Sequence, residues 1–310
     1  MAATPTSRAN PAGHFPPVPR PAAADVVVEP PSDGAGYWAG APSAAEVDGV
    51  TYLAYRLRRP VGDGRGYAVV VARSEDGVDF QTVAVLDKDE LGAESLERPA
   101  IVRLPDGTWR LYVSGATPGT LHWWVEAIDA RDPASFAPGG RRPTMPGDAT
   151  TAMKDPVVLR AGDGWRAWVC CHPLLGRAEA DRMLTRYGTS ADGLEWRWEG
   201  VALEGRPGCW DERGARLTSA LHGPDGWIAY YDGRAGAAEN YEERTGIAVG
   251  DGTGRFTAQG DGPDASSPDG SGSLRYVSVV PVAGRGIRLY YECCRADGAH
   301  DLRTELVPYG

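Results

Sequence analysis

Charged residues recur at the starts of apolar runs along this chain, at a spacing of about 60 residues that is typical of a repeated structural unit. Glu97-Arg98-Pro99 and Lys154-Asp155-Pro156 are two of these positions, and Arg216 and Arg275 mark two others. Carboxylates can act as bases, nucleophiles or proton donors, and arginines can bind anions. Because a buried charge is costly without a partner or ligand, these strand starts predict a shared functional site.

Hairpin signals follow the charged positions at the same spacing. Asp48-Gly49, Asp106-Gly107, Asp163-Gly164, Asp225-Gly226 and Gly284-Arg285-Gly286 each separate an apolar run from an aromatic-rich run. Asp-Gly suits a two-residue hairpin turn because both of its residues tolerate positive φ. Further strand candidates lie between these hairpins, for example at 67–73, 183–188 and 245–249. Two hairpins in each repeat give the four strands of a propeller blade.

These repeats predict an all-β fold: a five-bladed β-propeller with four-stranded antiparallel blades. The fifth repeat ends after its third strand, at 302–307, so one strand is missing there. We expect the N-terminal strand at 26–29 to supply it, closing the ring and covering an exposed edge. Residues 1–24 are rich in Pro, Ala and Ser and are predicted to be a flexible tail, and residues 25–310 to form a single propeller domain.

Composition argues against several classes of partner. The net charge of −10 disfavours nucleic acid and anionic membrane surfaces, which need basic patches. No apolar run approaches the roughly 20 residues of a membrane span, and the first residues lack the apolar core of a signal peptide, so a cytoplasmic location is predicted. The five cysteines are interpreted as buried thiols, because adjacent pairs do not form a secreted disulfide framework. Cys170-Cys171-His172 lacks the spacing of a zinc site, and neither a metal nor a cofactor is predicted.

The repeat, the Lys154-Asp155-Pro156 motif, and the segments Ser74 to Phe80 and Ser190 to Trp196 resemble the five-bladed propeller glycosidases. That group includes glycoside hydrolase families 32, 43, 62, 117 and 130, and no single family is assigned. The resemblance covers about residues 35–310. It implies a sugar-processing enzyme, an O-glycosyl hydrolase, that acts through clustered carboxylates at the mouth of the central channel.

The resemblance also implies catalytic roles. Asp155 matches the carboxylate that stabilises the transition state, and Asp211 or Glu212 lies about one blade later, where a proton donor is expected. In the first blade Ala41-Pro42 replaces the expected acid and proline. Glycoside hydrolysis needs one protonated and one ionised carboxyl group, and alanine provides neither. We therefore expect Glu97, one blade over, to act as the base or nucleophile.

A small carbohydrate or glycoside, with an anionic one among the candidates, is the predicted ligand. Arginines and polar residues would orient its hydroxyl or carboxylate groups, and Trp38 or Tyr231 would stack on it. The predicted binding residues are Trp38, Arg56, Arg98, His172, Arg216, Tyr231, Asp232, Arg234, Tyr241, Glu243 and Arg275. The alternative is a carbohydrate-binding protein without hydrolytic activity, or a biosynthetic enzyme, on the same scaffold. Ala41 is the residue that favours this alternative.

Overall fold

The structure is a computed structural model that describes residues 15–309. Within that range the regular structure consists of β-strands and short 3₁₀-helices, the latter at Pro21–Ala23, Val61–Asp63, Pro133–Ser135, Arg177–Glu179 and Ala237–Glu239. The strands are β1 (Asp25–Val28), β2 (Trp38–Val47), β3 (Val50–Arg58), β4 (Gly66–Ser74), β5 (Gln81–Asp87), β6 (Ala100–Arg103), β7 (Trp109–Ala116), β8 (Trp123–Ala130), β9 (Arg142–Met145), β10 (Thr151–Ala161), β11 (Gly164–Pro173), β12 (Leu184–Ser190), β13 (Arg197–Glu204), β14 (Gly214–Gly223), β15 (Gly226–Arg234), β16 (Arg244–Gly250), β17 (Phe256–Ala258), β18 (Leu274–Val282), β19 (Gly286–Cys294) and β20 (His300–Pro308). None of the helices between residues 15 and 309 is long and apolar enough to cross a membrane.

The strands form antiparallel units of four. Strands β2 to β5 make the first unit, β6 to β9 the second, β10 to β13 the third, and β14 to β17 the fourth. The fifth unit contains β18, β19, β20 and β1. It joins the first unit in one larger sheet through a parallel pair, Trp38 with His300. The predicted all-β architecture of four-stranded antiparallel sheets is therefore confirmed.

Each unit begins with the hairpin that the sequence signals. Asp48-Gly49 connects β2 to β3, and Asp163-Gly164 lies at the turn between β10 and β11. Asp48 and Gly49 both have positive φ, as a tight turn of this kind requires. The second strands β7, β11 and β19 are mostly buried, because both of their faces pack against neighbouring units.

The N-terminal strand pairs with the last strand, as the sequence predicted. In β1, Asp25 lies opposite Thr304 and Val26 opposite Arg303 in β20. Part of the predicted tail also packs on the sheets: Phe15, Val18 and Ala24 contact the apolar core next to the fifth unit. These side chains are apolar enough to be buried there, so the packed region extends back to residue 15. The remainder of the predicted tail, residues 1–14, lies outside the described residues.

Apolar cores lie between consecutive units, and one more core joins the last unit to the first. In the latter, Leu53 and Tyr55 of the first unit pack with Val280 and Tyr290 of the fifth. The Tyr290 hydroxyl also donates a hydrogen bond to the Gly77 carbonyl of the first unit over 2.9 Å. Tyr112 of the second unit binds the Gly193 carbonyl of the third in the same way, at 2.7 Å. The contact between the fifth and first units thus repeats the contact between other neighbours.

Candidate functional site

The first strands of the units meet at the centre of the molecule. Strand β2 contacts β6, β6 contacts β10, β10 contacts β14, β14 contacts β18, and β18 contacts β2. Strands β2, β10 and β18 each contain a bulge with a residue in the left-handed region: Ala41 (φ 53°), Asp155 (φ 56°) and Tyr276 (φ 58°). Bulges re-aim side chains, and left-handed non-glycine residues often occur at functional sites. These three equivalent positions therefore mark the part of the first strands where a site is expected.

A small cavity of about 30 Å³ lies beside these strands. It has room for about two water molecules. Its lining is strongly polar and consists of Arg56, Arg58, Glu97, Lys154, His172, Met183, Arg216, Arg234, Asn240, Tyr241, Glu243, Arg275 and Tyr276. These residues come from every unit, although they are remote from one another in the sequence.

Asp155 lies directly beneath the cavity and is completely buried. It accepts hydrogen bonds from the Arg98 backbone N–H at 3.0 Å, the Arg216 guanidinium at 3.2 Å and the Tyr276 hydroxyl at 3.4 Å. Its own N–H donates to the Ser114 hydroxyl over 2.9 Å. The donors come from the second, fourth and fifth units, so Asp155 of the third unit holds both Arg216 and Tyr276 at the cavity wall.

Glu97 lies in the cavity wall and forms an ion pair with Arg56. Burial alone would raise the pKa of Glu97, but Arg56, followed by Lys154, Arg58 and Arg65, outweighs burial and holds this pKa well below its usual range. Glu97 is therefore an ionised carboxylate at neutral pH. In that form it can act as a base or nucleophile and cannot donate a proton.

Glu292, at the second strand of the fifth unit, occupies the space beside Ala41. One carboxylate oxygen accepts the Ala41 N–H at 3.0 Å, and a Cβ atom added to Gly40 would lie 2.1 Å from that oxygen. The other oxygen binds Arg275 at 2.7 Å and His300 at 2.8 Å. Burial raises the pKa of Glu292, but Arg275 and the hydrogen bond from His300 hold it well below the usual value. Glu292 thus supplies the negative charge that the sequence lacks at Ala41.

A second group of carboxylates lies on the opposite side of Arg275. Glu243 accepts hydrogen bonds from Arg275 at 2.6 Å and from Arg234 at 2.5 Å. Burial raises its pKa, but Arg275, Arg216 and Arg234 outweigh burial, so the pKa is lowered and Glu243 is ionised. Asp232 binds Arg216 at 2.7 Å, but burial is its dominant influence and raises its pKa to about 6. Asp232 is the carboxyl group of this site that is poised to take up a proton.

His172 lines the cavity as a neutral imidazole. Burial and the nearby charges of Lys154, Arg216 and Arg234 keep its pKa well below the usual value. Its Nδ1 lies 3.2 Å from the Ala180 carbonyl, which can only accept a hydrogen bond, so Nδ1 carries the proton. Nε2 is then the acceptor facing the Cys170 thiol at 3.6 Å.

Aromatic rings hold one further arginine at the cavity. The Arg58 guanidinium lies 4.1 Å from the Trp38 ring centre and 4.4 Å from that of Tyr241, and the two ring centres are 5.7 Å apart. On its other side, Trp38 stacks on His300 with ring centres 4.7 Å apart. Burial raises the pKa of Tyr241, but Arg58 and Arg65 outweigh this effect and lower it. Tyr241 is therefore a phenol at the cavity that releases its proton more readily than an ordinary tyrosine.

Solved structures of sugar-active enzymes superpose on most of this chain. A glycosyl hydrolase from Bacteroides ovatus is similar with a TM-score of 0.68 and 16% identity, covering 95% of this chain and 96% of its own. An α-L-arabinofuranosidase from Lactobacillus brevis gives 0.66 and 14%, covering 86% and 90%. The β-1,2-mannobiose phosphorylase from Listeria innocua, in complex with β-1,2-mannobiose, gives 0.62 and 15%, covering 90% and 93%. The chain has the fold of the propeller glycosidases.

This similarity confirms the resemblance inferred from the sequence motifs, and it assigns no single family. At such identities the similarity concerns the fold alone. No family model matches the chain, and no curated protein matches it.

The predicted site residues fall into three groups. Those that line the cavity are Arg56, Glu97, His172, Arg216, Arg234, Tyr241, Glu243 and Arg275. Asp155, Asp232 and Trp38 lie just behind the lining and contact it through Arg216, Tyr276 or Arg58. Arg98 contacts Asp155, which accepts its backbone N–H.

The third group, Asp211, Tyr231 and Glu212, lies away from the cavity. Asp211 is buried, where it binds Arg206 at 2.9 Å and the Tyr231 hydroxyl at 2.8 Å. Tyr231 belongs to the apolar core between the third and fourth units. Glu212 is exposed and accepts the Gly208 N–H at 2.9 Å. None of these three residues is part of the cavity lining.

Five cavity residues were not assigned a catalytic or binding role from the sequence: Arg58, Lys154, Met183, Asn240 and Tyr276. For two of these residues, Arg58 and Tyr276, the sequence contains a signal that points to the site. Arg58 follows Arg56 by two residues, so both side chains project from the same face of β3. Tyr276 occupies the same position in its unit as Asp155 does in the third.

Proposed function

We propose that the units are the blades of a closed five-bladed propeller and that the cavity at the end of its channel is a carbohydrate-processing site. Three features support the closed ring: the cycle of contacts among first strands, the apolar core between the fifth and first units, and the pairing of β1 with β20. Charged side chains from the starts of four first strands, Glu97, Lys154, Arg216 and Arg275, converge on one cavity with arginines from the ends of β3 and β15. This convergence is the observation that carries the proposal.

The reaction that fits best is cleavage or transfer of a glycosidic bond. Glu97 would be the ionised carboxylate that attacks the sugar or activates water. Asp155 would act as a positioning residue, because it holds Arg216 and Tyr276 in the wall. Tyr241 would donate the proton to the leaving group, since the two carboxylates in the lining, Glu97 and Glu243, are both held in the ionised form by arginines.

A panel of nitrophenyl furanosides and pyranosides tests this proposal. We expect the wild-type protein to release nitrophenol from at least one of them, and Asp155→Asn to reduce the rate, since the substitution removes the negative charge that binds Arg216. The matched control is Asp163→Asn in the exposed turn of the same unit, which should leave the rate unchanged. No turnover of any glycoside by the wild-type protein would refute the enzymatic proposal.

Ala41 favours a second candidate, a protein that binds carbohydrate without cleaving it. The carboxylate beside Ala41 comes from Glu292, which is fully buried and bound by Arg56, Arg275 and His300. A carboxylate with all its lone pairs engaged is a counter-ion and does not reach substrate. Sugar binding measured by calorimetry, together with no turnover across the glycoside panel, would support this candidate over the first.

A further inference from the structure

The buried charged groups around the cavity have a net positive charge. Seven buried cationic side chains lie in its lining or directly behind it, against five buried carboxylates. The cations are Arg56, Arg58, Arg98, Lys154, Arg216, Arg234 and Arg275, and the carboxylates are Glu97, Asp155, Asp232, Glu243 and Glu292. Both nearby histidines have lowered pKa values and add no positive charge at neutral pH. This surplus lies within a protein whose net charge is −10.

Four of these seven cations form close ion pairs with carboxylates. Arg56 lies between Glu97 and Glu292, Arg275 lies between Glu292 and Glu243, and each is within 3.2 Å of both partners. Arg216 contacts Asp155 and Asp232. Arg234 binds Glu243 and also Asp181, whose charge is shared with Arg213 farther out. Three cations remain: Arg98, Arg58 and Lys154. Arg98 is not part of the cavity lining, and its Nε donates a hydrogen bond to the Pro42 carbonyl at 3.0 Å.

Arg58 is one of them. It is 2% exposed, it lines the cavity, and no carboxylate of the described residues lies within 4.0 Å of its guanidinium. Its Nε atom is buried without a hydrogen-bond partner. The Trp38 and Tyr241 rings, whose centres are 5.7 Å apart, pack against adjacent sides of the guanidinium and provide no carboxylate. An unpaired buried guanidinium is costly, so this geometry indicates a negatively charged group that is bound when the protein functions.

Lys154 is the other of these three cations that lines the cavity. Its ammonium group also lines the cavity, lies 4.5 Å from the Trp123 ring centre, and is 3.9 Å from the nearer Asp155 oxygen, which is beyond hydrogen-bond distance. Lys154, Arg58 and Glu97 all line this cavity. Arg58, with no ion pair among the described residues, and Lys154, with only the long ion pair to Asp155, therefore face one small space.

We propose that the cavity binds an oxyanion, the carboxylate of a sugar acid or a phosphate group, through Arg58 and Lys154. This inference rests on the proposed carbohydrate function and narrows its substrate class to anionic sugars or to sugars processed together with phosphate. A planar guanidinium can give two parallel hydrogen bonds to either group, and an ammonium adds a third donor. The cavity volume of about 30 Å³ suits the oxygen atoms of such a group, with the remainder of the sugar outside the constriction.

Calorimetric titration of the purified full-length protein tests the inference. The probes are inorganic phosphate, glucuronate and uncharged glucose. We expect phosphate or glucuronate to bind at least tenfold more tightly than glucose, and Arg58→Gln or Lys154→Gln to weaken that binding by about 10- to 100-fold, the loss expected for a charged hydrogen bond. The matched control is Arg59→Gln, which removes the same charge from an exposed neighbour and should leave binding unchanged.

Each result of this titration either supports or overturns the proposed oxyanion site. Binding of phosphate alone or of glucuronate alone supports the inference and identifies the source of the oxyanion. No binding of either anion by the wild-type protein overturns it, as does unchanged affinity in folded Arg58→Gln and Lys154→Gln. If thermal unfolding shows that one variant does not fold, the anion affinity of the other variant is compared with that of the wild-type protein, and this comparison tests the inference. Turnover of neutral glycosides that neither anion inhibits would overturn this inference and leave the proposed function standing. Anion binding without turnover of any glycoside would support this inference and refute the proposed enzymatic function.

Discussion

Replacing Gly40 by alanine should disrupt the buried charges at the centre of the molecule. An added Cβ atom would lie 2.1 Å from one Glu292 oxygen, closer than real Cβ contacts allow. Glu292 must then leave the position where Arg56, Arg275, His300 and the Ala41 N–H surround it. Breaking a buried ion pair typically costs 3–5 kcal/mol, so we expect Gly40→Ala to lower the free energy of unfolding by about 3 kcal/mol.

Urea denaturation followed by fluorescence measures this loss. Gly62→Ala is the matched control, because nothing lies within 4 Å of the added Cβ atom, and its unfolding free energy should stay within about 1 kcal/mol of the wild-type value. A double-mutant cycle gives a sharper test: once Glu292 is shortened to alanine, the added Gly40→Ala change should cost little. A Gly40→Ala protein as stable as the wild type would refute the placement of Glu292.

Three further predictions follow from individual contacts. Tyr241→Phe should lower kcat for nitrophenyl glycosides by about 100-fold if Tyr241 donates the proton, and an unchanged kcat would assign that role to another group. Asp232 has a pKa raised from 3.8 to about 6, so its protonation should add about 2 kcal/mol to the free energy of unfolding as the pH falls from 7 to 4.5. Urea titrations should show that Asp232→Asn removes this rise, and the same rise in the variant would contradict the assignment. Tyr290→Phe leaves the Gly77 carbonyl without its donor and should cost about 1 kcal/mol in urea denaturation, whereas exposed Tyr309→Phe should cost nothing; equal stability of the two variants would argue against the contact between the fifth and first units.

Local signals were sufficient to predict the strands and the way the chain ends pair. Asp-Gly turns and alternating apolar runs are determined by neighbouring residues, and the unpaired edge of the last repeat made a distant partner necessary for β1. Glu97, Arg216 and Arg275 could be predicted as site residues for a similar reason. Each lies at the same position of its repeat, and the repeat itself brings those positions together.

Other features of the site depend on contacts between distant residues. Glu292 binds the Ala41 N–H across 251 positions of sequence, and no local pattern connects the two. Arg58 is left without a carboxylate only because Trp38 and Tyr241 meet around it. Asp211 lies at the spacing expected of a catalytic acid, but its side chain binds Tyr231 and Arg206 away from the cavity. Spacing alone does not determine the direction in which a side chain on a loop points.

The most direct test of the proposed carbohydrate-processing site is the turnover of a reactive glycoside by Glu97→Gln. The substitution keeps the size of the side chain and removes the charge that Arg56 and Lys154 hold in the ionised form. We predict that turnover falls by at least about 1,000-fold, while Glu94→Gln, an exposed glutamate three residues earlier, retains the wild-type rate. Equal rates for Glu97→Gln and the wild-type protein, with both proteins folded, would contradict the assignment of catalysis to this cavity.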